Sequence, residues 1–77
     1  MGLAVKSMTY EDYQQAIRMN VMRIMAERGM TIAKLAKASA TSAVTISMFL
    51  NGHRSISLYT VFALAGALGM NMKDLMD

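Results

Sequence analysis

The chain contains no cysteine and no proline, and between Glu27 and Asp74 it contains no acid. Without cysteine there are no disulfides and no thiolate metal sites, so an apolar core alone must hold the fold. Without proline nothing marks a stiff linker, and there is no internal repeat. A chain of 77 residues buries only about 60 to 65% of its unfolded surface, which leaves room for one core and one domain. Long apolar runs are also missing. The longest, Leu58 to Met70, is broken by Tyr59, Thr60, Gly66 and Gly69 and falls short of the about 20 residues a spanning helix needs. The opening "MGLAVKSM" lacks the apolar stretch and cleavage site of a secretory signal, so a reducing cytoplasm is the expected location. Lys6 stands where the myristoylation pattern wants Ser or Thr.

The acid-free window holds Arg28, Lys34, Lys37, His53, Arg54 and Lys73, so the net charge of +3 is concentrated in the middle of the chain. Such a segment sets up a positive field toward a polyanion or an acidic membrane surface, or is simply a solvated face. Catalysis and cofactor binding find little support. His53 is the single histidine and has no neighbouring carboxylate to orient it, and "GMTIAKLA" lacks the second glycine and the hydroxyl of a phosphate loop. No metal and no cofactor are expected.

What the chain does have is 55% hydrophobic residues, ten of its residues being methionine, and a regular alternation of helix caps and glycines. Thr9 with Asp12 forms a capping signal, and Tyr13, Ile17, Val21, Ile24 and Met25 recur at helical spacing until Gly29. Thr31 can cap a second helix of about two turns, with Leu35 and Ala36 inward and Lys34 and Lys37 outward. "ASATS" makes a short turn into a third helix over roughly 43–50, closed by Asn51-Gly52. Ser57 caps a fourth helix with Leu58, Val61, Phe62, Ala65 and Leu68 inward, and Asn71 with Asp74 signals a last short helix. The expected fold is all-α, a compact bundle of five short helices over 9–77, with residues 1–8 as an N-terminal tail or arm.

Two short helices joined by a tight turn, the second set among basic groups, suit a major groove. At Leu35, Ala36, Ala40, Ser42, Thr45, Ile46, Ser47, Asn51 and Gly52, and again at Ser57, Leu58, Thr60, Val61, Leu64, Ala65, Ala67, Leu68 and Gly69, the chain resembles the helix-turn-helix domain of phage lambda-type repressors and Cro proteins, the XRE type. The resemblance runs without a gap from Thr31 to Leu75. It implies a lambda repressor-like DNA-binding domain, a Cro-like or repressor-like regulator that binds double-stranded DNA as a homodimer on a two-fold operator.

Three departures stand out. Ala40 replaces the family's turn glycine, which disfavours a left-handed backbone by about 1 kcal/mol and predicts a slightly rebuilt turn. Met25 and Leu50 occupy the positions where the family often pairs arginine with glutamate, a swap that strands no charge. With Ser42 as cap, Ile46, Phe49 and Leu50 turn inward and Val44, Ser47, Met48 and Asn51 outward, so the outer face lacks the long polar side chains that family members use on base edges. Two readings follow. In one, Ser42, Ala43, Val44, Ser47 and Met48 read bases by short hydrogen bonds, thymine-methyl contact and DNA shape. In the other, that face binds a protein partner, as in an antitoxin or adaptor module. The missing carboxylates favour DNA. Under that reading phosphates meet the amides of Thr31 and Ile32 and those of Ser42 and Ala43, the flanking Lys34 and Lys37, and the loop residues Asn51, His53, Arg54 and Ser55. Surplus methionines on the first helix and at the C-terminus make those two elements the candidate dimer surface.

Overall fold

Thr9, Thr31, Ser42 and Ser57 each stand before a helix, and each side-chain oxygen accepts a hydrogen bond from the amide three residues on. Those four caps open α1 (Tyr10–Arg28), α2 (Ile32–Ser39), α3 (Ala43–Leu50) and α4 (Leu58–Ala67), and α5 (Met72–Met76) completes the chain. This computed structural model describes residues 9–77, within which every regular element is helical. The question of an N-terminal tail or arm over 1–8 lies outside the described residues. At Thr9 the capping box is complete, the Asp12 carboxylate accepting from the Thr9 amide in return. The expected Asn71 cap differs: its side chain makes no capping bond, and the Asp74 amide bonds instead to the Asn71 carbonyl.

The helix ends share one device. After α1, α2, α3 and α4, a residue at positive φ turns the chain left-handed: Gly29, Ala40, Gly52 and Gly69. The amides of that residue and the next return to carbonyls in the last turn, as in Gly52 to Phe49 and His53 to Met48. Ala40, at φ 54 and ψ 35, takes the left-handed conformation that its side chain disfavours. Its amide and that of Thr41 bond to Lys37 and Ala36, and these bonds hold the alanine in a conformation that costs it about 1 kcal/mol.

The core joins all five helices: Ile17, Val21, Ile24 and Met25 of α1, Leu35 of α2, Ile46 and Phe49 of α3, Val61, Leu64 and Ala65 of α4, Leu75 of α5, with Ile56 and Leu68 beside α4. α1 packs on α5 and α3, α2 on α3 and α4, and α4 on α5. Met25 is buried, and Leu50 is half-buried at the core margin, so the uncharged substitution sits in apolar surroundings.

The inward face of α4 departs from expectation. Leu58 and Phe62 are 59% and 65% exposed, while Leu64, absent from the expected stripe, is fully buried. The reason is compositional. "LYTVFALAGA" is apolar on nearly every side, so periodicity cannot choose a face, and packing against α2 and α5 chooses the one centred on Val61, Leu64 and Ala65.

Candidate nucleic-acid interface

α3 is eight residues long, too short to persist alone, and is held at both ends. Ser42 caps its start. At its end the Arg18 guanidinium of α1 donates through Nε to the Phe49 carbonyl at 2.6 Å and lies 4.9 Å from the centroid of the Phe49 ring. The Phe49 carbonyl, which also accepts from the Gly52 amide, lies at the negative end of the helix dipole, so a cation there is favourable, and the ring adds a cation–π contact. The Asn51 amide side chain donates to the Ser47 carbonyl at 2.9 Å.

With Ile46 and Phe49 anchored inward, α3 presents Ser42, Ala43, Val44 and Met48 to solvent, with Ser47 half-buried between them. Val44 is 66% exposed. The face carries no charge, and its hydroxyls are short. The first turns of α2, α3 and α4 contain no acid, so nothing cancels the positive end of those helix dipoles. Thr31 and Ser42 each engage the third amide of their helix, which leaves the leading amides of Ile32 and Ala43 outside the intrahelical ladder. The Ile32 side chain packs on the core.

The loop between α3 and α4 brings Asn51, His53, Arg54 and Ser55 together, all exposed. Its conformation depends on a residue that the sequence reading passed over. Gln14 of α1 is buried, and its amide is spent on one backbone position: Nε2 donates to the Ile56 carbonyl at 3.0 Å and Oε1 accepts from the Ile56 amide at 2.8 Å. The Tyr10 hydroxyl donates to the same carbonyl. Ile56 is thereby pinned directly after Arg54 and Ser55. A signal was present, since Gln14 lies three residues before Ile17 and seven before Val21 on the inner stripe of α1. A lone amide on such a stripe needs a buried partner, and here that partner is backbone.

The cations divide by their partners. Arg18 serves Phe49, Arg28 donates to the Leu68 carbonyl at 2.7 Å, and Arg23 pairs with Glu27 at 3.4 Å on the surface. Among the described residues that surface pair is the one salt bridge, so Lys34, Lys37 and Arg54 meet no carboxylate. Among the described residues the hydrogen-bond partner of the Arg54 guanidinium is the Thr45 hydroxyl, at 3.5 Å. A polar cleft of about 390 Å³ separates α1 from the loop, lined by Glu11, Gln15, Arg18, His53 and Arg54 among others. Among the described residues no group of histidines and acids could hold a metal ion, and no helix is long and apolar enough to cross a membrane.

A helix-turn-helix family model matches residues 21–75, most of the chain and all of α2 through α4. The chain belongs to the XRE-type helix-turn-helix family. Its class is therefore DNA binding in transcription regulation. Among solved structures it is similar to the crystal structure of a hypothetical transcription factor, NHTF, from Neisseria, with a TM-score of 0.78 and 18% identity over 95% of this chain and 84% of that one. At that identity the likeness concerns the fold, and it agrees with the five-helix architecture. The search of curated proteins returns no significant sequence match.

Proposed function

We propose that this helix-turn-helix protein lays α3 in the major groove of double-stranded DNA and regulates transcription as a homodimer on a two-fold operator. Ser42, Ala43, Val44, Ser47 and Met48 face the bases. The observation that carries this reading is the sorting of charge around α3. An uncharged, outward face is flanked by acid-free helix starts and by the cations Lys34, Lys37 and Arg54, none of which forms a salt bridge among the described residues. Thr31, Ile32, Lys34, Lys37, Asn51, His53, Arg54 and Ser55 hold phosphates, through backbone amides at the start of α2 and through side chains in the loop. Sequence is read by apolar contact with thymine methyls, by short hydroxyl bonds and by groove shape.

One short helix covers only about four or five base pairs. Two half-sites spaced about 34 Å apart raise affinity and specificity together, and occupancy of such a site occludes a promoter. The work is done in the cytoplasm, at the nucleoid, with no cofactor and no chemistry on the DNA. A second reading, an antitoxin or adaptor module that grips a protein with the same face, is favoured by one observation, the apolar character of exposed Val44 and Met48.

The test is a gel shift, across a salt series, on the DNA flanking the gene. Affinity should fall steeply with salt, and Arg54→Ala should weaken binding to every duplex alike while flattening the logarithmic salt slope by about one unit. Absence of salt-sensitive affinity for any duplex would leave the protein-binding module as the better reading.

A further inference from the structure

The face of α4 that turns away from the core is not the face of a helix at rest in water. Leu58, Tyr59 and Phe62 are 59%, 81% and 65% exposed, and Tyr10 of α1, at 54%, stands at their edge. No charged residue occurs anywhere in α4. Beside this ridge runs an apolar groove of about 250 Å³ lined by Tyr10, Tyr13, Ile17, Leu58, Val61 and Met76. The face thus combines projecting rings and a recess able to receive one.

We infer that the Leu58–Tyr59–Phe62 face of α4, with the groove bounded by Tyr10, Tyr13 and Met76, binds a second copy of this chain. It deepens the homodimer proposed above and rests on that reading for its role. Three observations favour a second copy over another occupant. The first is self-complementarity: in a two-fold interface the same patch meets itself, so a ring of one copy can enter the groove of the other and the reverse. The second is area. Aromatic side chains present roughly 150 to 250 Å² each, so these four residues expose roughly 500 Å² of apolar surface. An interface of about 800 Å² per partner that is about 60% apolar contains the same amount. The third is charge. Two copies that each carry +3 repel one another, and α4, without a charge of its own, is where they can approach at least cost.

Neither Val44 nor Met48 is among the residues of this patch, so the side chains assigned to DNA and those assigned to the dimer do not overlap. The patch centres the dimer surface on α4, a helix the sequence assigned to the core, and keeps Met76 of the C-terminal helix and the start of α1 at its margin.

Sedimentation equilibrium of the full chain tests the inference without DNA, and the mass of the complex on a two-half-site duplex tests it with DNA. Wild type should be a dimer in at least one of these settings. Phe62→Lys and Tyr59→Lys, both at exposed positions, should weaken self-association about 30-fold or more while circular dichroism and melting stay as in wild type. Phe62→Lys should still bind a single half-site with salt-sensitive affinity. A wild-type chain that is monomeric both free and on DNA overturns the inference, as does a Phe62→Lys variant that dimerises like wild type. Either result would point to another occupant, such as an unrelated protein or the apolar residues before Thr9. Should wild type dimerise through this face but bind no duplex, the dimer stands and the DNA reading fails.

Discussion

Gln14 gives both ends of its amide to the backbone of Ile56, which a side chain with only a donor or only an acceptor cannot do. Gln14→Met keeps the shape and removes both bonds. The Ile56 carbonyl retains Tyr10, but the Ile56 amide is left buried without a partner at a cost of about 1 to 3 kcal/mol. The loop that carries Arg54 should loosen with it. Binding of the Gln14→Met and Arg54→Ala single and double variants forms a cycle in which the two losses should fail to add by about 0.5 kcal/mol or more. Additive losses would mean that Gln14 contributes stability alone. Ala40 tests a different residue-scale claim. Ala40→Gly should raise stability by about 1 kcal/mol, seen as a melting temperature higher by about 4 to 8 °C. A lower melting temperature would show that residue 40 is not left-handed.

At the scale of elements, α3 is defined more by what holds it than by its own propensity. Ala-Val-Thr-Ile-Ser-Met-Phe-Leu includes β-branched residues and no stabilising charge pair, and eight residues cannot sustain a helix in water. Ser42, Arg18, Asn51 and two inward side chains supply the difference. Its outer positions are therefore available for recognition at little cost to folding. Val44→Ala and Met48→Ala should each leave the melting temperature nearly unchanged, within about 0.5 kcal/mol of stability. Each should shift preference at particular base pairs, by about tenfold or less, without altering the salt slope. Measurement on a panel of single-base operator variants separates this from a uniform loss, which would assign those side chains to phosphate or to folding.

For the molecule as a whole, the acid-free window matters through the field it generates. Lys34 and Lys37 lie on the exposed side of α2, with no carboxylate paired to them among the described residues. Lys34→Glu combined with Lys37→Glu reverses that flank without touching the core. Association with DNA should slow by about tenfold or more at low salt, and the effect should fade as salt rises, because steering acts over the Debye length. Stopped-flow rates give the answer directly. An unchanged association rate would locate DNA elsewhere on the surface.

The boundaries of α1, α3 and α4 and the start of α2 were legible in the sequence, because each start is a hydroxyl that bonds the third amide and the ends of α1, α3 and α4 are followed by a glycine that turns left-handed, whereas Ala40 after α2 gave no such signal. Such signals act within four or five residues of chain, so no knowledge of the fold is needed to read them. The charge of the α3 surroundings was legible for the same reason, being a property of composition. Three features belonged to the tertiary structure. The buried face of α4 was chosen by α2 and α5, since an apolar helix has no preference of its own. The Ile56 clamp joins residues 42 apart in sequence, and Arg18 reaches a carbonyl 31 residues away, distances over which no local pattern speaks. Short-range hydrogen bonding and sterics settle where helices begin and end, while the choice of which surfaces meet depends on competition for a single core, which exists only once the chain has closed on itself.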